Sequence, residues 1–162
     1  MTLQPSSKRD QGALTPPHPA GEKPETLVPL TSNVSLEGVY ILLVDDDPNV
    51  RAALTRVLEE RKAIVQPASS AAEAIAAFKN RKPDLIVSDI GMPEEDGHVL
   101  IRKLRELEAA SGGRVPAVAL TGHGRTEDRF AAMRAGFQIH VSKPVATDEF
   151  LTIVATLAGR FD

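Results

Sequence analysis

Five times along this sequence a short apolar run gives way to a stretch with helical periodicity. The runs are Val39–Val44, Ala63–Gln66, Leu85–Ser88, Val115–Leu120 and Ile139–Ser142. Short runs of this kind bounded by turn residues read as strands, and runs that are apolar at every position read as strands covered on both faces. The intervening stretches carry helix signals. Asp47 caps a helix whose first residue is Pro48, with Val50, Ala53, Leu54, Val57 and Leu58 along one side. Ser70-Ala-Ala-Glu73 is a capping box ahead of Ala74, Ile75 and Phe78. Leu100, Ile101, Leu104 and Leu107 stripe a third helix that Ser111-Gly112-Gly113 ends. Residues 126–135 form a fourth, closed by Gly136, and Thr147 caps a last one carrying Phe150, Leu151, Val154 and Leu157. Strands joined by helical crossovers must be parallel, and right-handed crossovers leave few topologies. The expectation is an α/β fold, a doubly wound five-stranded parallel sheet in the order 2-1-3-4-5, flavodoxin-like (βα)5.

Four of these strands end on chemistry. The first stops at Asp45-Asp46, the third at Asp89, the fourth at Thr121 and the fifth at Lys143. In the expected order those strands are neighbours, so groups spread over almost a hundred positions meet at the carboxyl edge of one sheet, where open α/β sheets bind ligands. Asp89 is the centre of this set, followed by a turn with Gly91, Pro93 and Gly97. Carboxylates crowded together repel one another, and a hard divalent cation relieves the repulsion; Mg²⁺ favours a few carboxylates with water and phosphate oxygens. Lys143 adds a compact positive charge and Thr121 a hydroxyl donor, each suited to a phosphate oxygen. A free carboxylate within such a frame can act as the nucleophile of an in-line phosphoryl transfer.

On these motifs residues 38–160 resemble the receiver domain of two-component response regulators, of the chemotaxis-receiver type. The matching stretches are Val44-Asp45-Asp46, Asp89 with Met92-Pro93 and Asp96-Gly97, Leu120-Thr121-Gly122, and Val141-Ser142-Lys143-Pro144. The resemblance implies Asp89 as phosphoacceptor and Mg²⁺ held by Asp45, Asp46, Asp89 and the backbone carbonyl of Gly91. It implies Lys143 and Thr121 as the phosphoryl-contacting pair, with Thr121 also moving as part of a switch. The other switch position, an aromatic in the family, is His140 here. Gly91 and His123 stand where the family tunes hydrolysis. The implied partners are a histidine kinase or histidine phosphotransfer protein and a downstream protein, and Leu36-Glu-Gly-Val39 is similar to receivers fused behind hybrid histidine kinases. With room for only one helix after Lys143, no output domain is expected, and signalling would run through protein–protein contacts. The module is expected to be no enzyme beyond its own phosphorylation and dephosphorylation.

Two competing functions remain. A haloacid-dehalogenase-like phosphatase also uses a strand-end aspartate, but needs a second Asp two residues on, where this chain has Gly91. A pseudo-receiver scaffold would not need the intact set of Asp45, Asp46, Asp89, Thr121 and Lys143. Simpler readings suit other residues: Glu94, Glu95 and Asp96 as a solvated turn, His123 as a solvated loop residue, Met92 and Pro93 as loop-shaping.

Residues 1–37 differ in kind. Half of the 12 prolines lie there, among Ser, Thr, Gly and mixed charge, and such a segment buries too little apolar surface to offset its ordering entropy. It reads as a disordered tail or linker, and 38–162 as the domain. The net charge of −3 gives no electrostatic reason for nucleic-acid binding. The absence of cysteine excludes disulfides and thiolate metal sites. No signal-peptide core or membrane-length run is present, so a cytoplasmic protein with no membrane contact is expected.

Overall fold

The computed structural model describes residues 34–92, 95–122 and 126–160, the side chains of 126–129 excepted. The five strands are β1 (Tyr40–Val44), β2 (Ile64–Ala68), β3 (Leu85–Asp89), β4 (Ala117–Thr121) and β5 (Ile139–Ser142). The helices between and after them are α1 (Pro48–Glu59), α2 (Ala71–Asn80), α3 (Gly97–Ser111), α4 (Thr126–Ala135) and α5 (Thr147–Leu157). All pairings are parallel and the sheet order is β2-β1-β3-β4-β5, as the sequence pattern implies.

Alternation along the strands builds the two cores. Leu42, Val44, Ile86, Ala117 and Ala119 face α2 and α3 through Ala74, Phe78, Leu100, Ile101 and Leu104. Ile41, Leu43, Leu85, Val87, Val118 and Leu120 face α1 and α5 through Leu54, Leu58, Phe150, Leu151 and Val154. Successive strand side chains point to opposite faces, so a strand apolar throughout needs helices on both sides.

Local chemistry refines several expected boundaries. Leu36, assigned to the tail, is fully buried in the second core, and its N–H donates to Arg61 O at 2.7 Å. The folded part therefore begins before Gly38; the remainder of the expected tail, residues 1–33, lies outside the described residues. Strand β4 starts at Ala117 rather than Val115. Pro116 has no N–H, and the Val115 N–H is taken by Glu108 Oε2 at 2.6 Å. Strand β2 extends through Pro67, which a sheet-edge strand tolerates.

The caps differ in detail. Asp47 Oδ1 accepts from the Asn49 and Val50 N–H groups, as expected. Ser70 Oγ accepts from Glu73 N–H, but Glu73 reaches back to Ser69 N–H at 2.7 Å, one residue beyond the standard box. Those Ser69 contacts hold the Glu73 carboxyl below its ordinary range. Thr147 is not a cap: Ala146 holds that position without a side-chain bond, and Asp148 and Glu149 in the first turn compensate the helix dipole instead. Asp96 is more than a solvated turn residue, since its Oδ1 caps α3 at Val99 N–H, 3.1 Å away.

A buried ion pair fixes the end of the sheet opposite the strand-end carboxylates. Arg105 Nη1 bonds both Glu108 oxygens at 2.9 and 2.8 Å and Val115 O at 2.6 Å, while Nη2 reaches Gly136 O at 2.7 Å. Burial, the largest influence, pulls the Arg105 pKa down, and Glu108 opposes that pull. The pair ties α3 to the entry of β4 and to the turn between α4 and β5.

Candidate functional site

The carboxyl ends of β3, β4 and β5 border a cavity of about 390 Å³ lined by Asp89, Ile90, Gly91, His98, Thr121, Gly122 and Lys143. Two roomier grooves, of about 540 and 630 Å³, run along α1 and β2 and between α2 and α3. Neither contains a strand-end carboxylate.

Parallel register does the positioning. Pairing Val44 with Ser88 carries Asp45 to the level of Asp89, and Asp89 lies opposite Leu120, next to Thr121. The Lys143 N–H donates to Thr121 O at 2.7 Å, which starts the Lys143 side chain beside the carboxylates; the Lys143–Pro144 peptide is cis. The approach of α3 depends on Gly97. A Cβ there would stand 2.6 Å from Asp89 O and 2.7 Å from Ile90 Cα, so only glycine lets the helix start against the end of β3.

Asp45 is fully buried and Asp89 nearly so, while Asp46 is exposed. One oxygen of each lies within 4.8 Å of the others. Lys143 Nζ stands 3.1 Å from Asp45 Oδ2 and 3.4 Å from Asp89 Oδ1. Gly91 N–H donates to Asp89 Oδ1 at 3.1 Å, and Asp47 N–H donates to Asp45 Oδ1 at 2.9 Å. Asp45 Oδ2 is buried and receives no hydrogen bond; its Lys143 contact is an ion pair outside hydrogen-bond geometry.

Burial pushes the Asp89 pKa up and outweighs the Gly91 bond; Asp45 adds to the rise and Lys143 counters it. Lys143 is the mirror case. Burial acts to lower its pKa, but contact with Asp45 and the charges of both carboxylates raise it on balance, so the amine stays an ammonium. Three carboxylates against one ammonium leave a negative excess in a partly dry pocket. That excess, the under-bonded Asp45 Oδ2 and an all-oxygen donor set fit a hard divalent cation.

Asp45, Asp46, Asp89, Gly91, Thr121 and Lys143 thus come together as the strand ends suggested. His140 lies on β5 opposite Ala119, two rungs from the Thr121–Ser142 pair and on the same face of the sheet. His123 lies outside the described residues. Sequence reasoning passed over two residues. His98 in the first turn of α3 lines the cavity, and its Nε2 is buried without a hydrogen bond. Its place directly after Asp96-Gly97 was the available signal. Arg51 on α1 turns its Nη1 back to Asp45 O at 2.7 Å, a contact that helical spacing alone does not reveal.

Residues 41–155 match the family model of the response regulator receiver domain. A 14.6 kDa uncharacterised protein of Leptolyngbya boryana is 46% identical over 120 residues, covering 74% of this chain and 90% of that one. The response regulator Rre1 of Synechocystis is 38% identical over 125 residues, 76% of this chain and 53% of its own length, so the chain spans about half of that relative. A crystal structure of a response regulator from Chloroflexus aurantiacus superposes with a TM-score of 0.68 at 28% identity, over 75% of this chain and 98% of the other. Among the described residues no helix is long and apolar enough to cross a membrane.

Proposed function

The chain belongs to the response regulator receiver domain family, and from that premise we propose that it is a phosphoacceptor module that takes a phosphoryl group on Asp89. The observation that carries the reading is the convergence of Asp45, Asp46 and Asp89 on one another and on Lys143.

Asp45, Asp46, Asp89 and the Gly91 carbonyl are the residues to hold Mg²⁺. When bound, the ion neutralises charge on the carboxylates and on phosphoryl oxygens. An oxygen of Asp89 attacks the phosphorus of a phosphohistidine on a histidine kinase or phosphotransfer protein. The P–N bond breaks, the departing imidazole keeps the electron pair and takes up a proton, and an acyl phosphate stands on Asp89. Lys143, kept cationic by its two carboxylate neighbours, swings its ammonium from Asp89 to a phosphoryl oxygen. The Thr121 hydroxyl, buried at the end of β4, donates to another. Water later attacks phosphorus and returns the carboxylate and inorganic phosphate. Gly91 leaves no general acid two residues after Asp89, which argues against a phosphatase acting on outside substrates.

Thr121 and His140 are the switch pair, a reading supported by their common face on β4 and β5. The signal leaves through the surface of α4, β5 and α5, where Phe130 and Met133 stand half exposed. No direct contact with nucleic acid or membrane is part of this reading. Cytoplasmic placement follows from the expected kinase partner.

Intact-mass measurement after incubation with a small acyl phosphate and Mg²⁺ tests the central step. The parent gains one phosphoryl group, and Asp89→Ala gains none. Equal labelling of the two proteins would refute the assignment, and an unlabelled parent would favour a scaffold that never sees phosphate.

A further inference from the structure

Asp46 is the exposed member of the acidic set, and it belongs to neither β1 nor α1. Something must fix the peptide that joins it to Asp45, because a carboxylate on a loose loop loses affinity through the entropy of ordering it. Three anchors surround that peptide. Asp45 N–H donates to Ala68 O at 3.1 Å, and Asp47 N–H donates to Asp45 Oδ1 at 2.9 Å. The third is Arg51, half-buried one turn into α1, whose Nη1 donates to Asp45 O at 2.7 Å. That carbonyl belongs to the Asp45–Asp46 peptide itself, so the bond sets the plane from which Asp46 departs. The first turn of α1 is held in place in turn by its Asp47 cap.

We infer that Arg51 is a positioning residue for the metal site: its bond to Asp45 O orients the Asp45–Asp46 peptide so that both carboxylates face the same cation. This rests on the Mg²⁺ reading given above. The sign of the effect separates positioning from plain electrostatics. Arg51 is a cation close to the acidic loop, so as a mere charge it repels Mg²⁺, and its removal would tighten binding. As an orienting donor it pre-organises the ligands, and its removal weakens binding. A charge-assisted hydrogen bond to a backbone carbonyl is strong and directional, which favours the second effect.

The test compares Arg51→Met, which keeps the aliphatic stem packed but removes the donor and charge, with Arg51→Lys, which keeps the charge and one donor. Mg²⁺ affinity is read from the amide resonances of Asp46 and Gly91, since the chain has no Trp to report by fluorescence. Fold stability is read from the urea midpoint without Mg²⁺. Arg51→Met is expected to weaken Mg²⁺ binding about tenfold with little change in midpoint, and Arg51→Lys to recover at least half of that loss on a logarithmic scale. Unchanged or tighter binding in Arg51→Met overturns the inference alone. So does a midpoint that falls in step with affinity, or an Arg51→Lys as weak as Arg51→Met. A parent whose Asp46 and Gly91 amides ignore Mg²⁺ overturns both the inference and the metal reading beneath it.

Discussion

Replacing Asp89 by Asn should stabilise the metal-free protein and abolish its stabilisation by Mg²⁺, two effects of opposite sign from one substitution. With an effective dielectric constant near 20, the Asp45 and Asp89 oxygens within 4.8 Å repel by about 3.5 kcal/mol or more. Lys143 at 3.4 Å from Asp89 attracts by about 4.9 kcal/mol on the same scale. The attraction exceeds that lower bound on the repulsion by about 1.4 kcal/mol, so burial must outweigh it, and the upward direction of the Asp89 pKa, with burial its largest cause, points against the charged form. The effective desolvation of a buried carboxylate is several kcal/mol, offset in part by the Gly91 bond. The balance leaves ionised Asp89 destabilising by on the order of 1 kcal/mol, or roughly 4 °C in Tm for a domain of this size. A carboxyl whose folded pKa lies above its unfolded value carries no penalty below the unfolded value and the full penalty above the folded one. Without Mg²⁺, the parent's Asp89 contribution to stability therefore improves as pH falls from 7 through the raised pKa, and Asp89→Asn lacks that component. With Mg²⁺ at about a hundred times its Kd, mass action stabilises the parent by about 2.7 kcal/mol, roughly 10 °C. Asp89→Asn gains little. Thermal unfolding of both proteins, with and without Mg²⁺ and at several pH values, reads all of this. An Asp89→Asn protein that melts below the parent without Mg²⁺, or gains as much from Mg²⁺ as the parent, would refute the reasoning.

Other perturbations probe the frame around the site. Gly97→Ala forces a Cβ into Asp89 O and Ile90 Cα, and should destabilise by about 1–3 kcal/mol while displacing Asp89; urea unfolding and labelling by the small acyl phosphate measure the two effects. Glu108→Ala strands the Arg105 guanidinium and the Val115 N–H and should cost about 3–5 kcal/mol in urea unfolding; a loss under 1 kcal/mol would show that the pair contributes little. Asp47→Ala removes the α1 cap at Asn49 and Val50 and should cost about 1 kcal/mol, visible as a lower urea midpoint at an unchanged m value.

The sequence by itself determined the architecture and the membership of the central site. A run such as Val39–Val44 needs helices on both sides of its sheet, and alternation with helices makes that sheet parallel. Parallel strands all end at one edge, so Asp45, Asp89, Thr121 and Lys143 had to meet there once the strand order followed from short crossovers. Tertiary structure decided what periodicity cannot encode. Leu36 is buried because Arg61 and the second core reach it, although its neighbours in sequence are polar. Val115 leaves the ladder because Glu108 captures its N–H. His98 enters the cavity, and Arg51 finds the Asp45 carbonyl, through helix placement and rotamer. Periodicity reports which face a residue occupies, but a partner is chosen by distance and direction in three dimensions, and those exist only after the layers have packed.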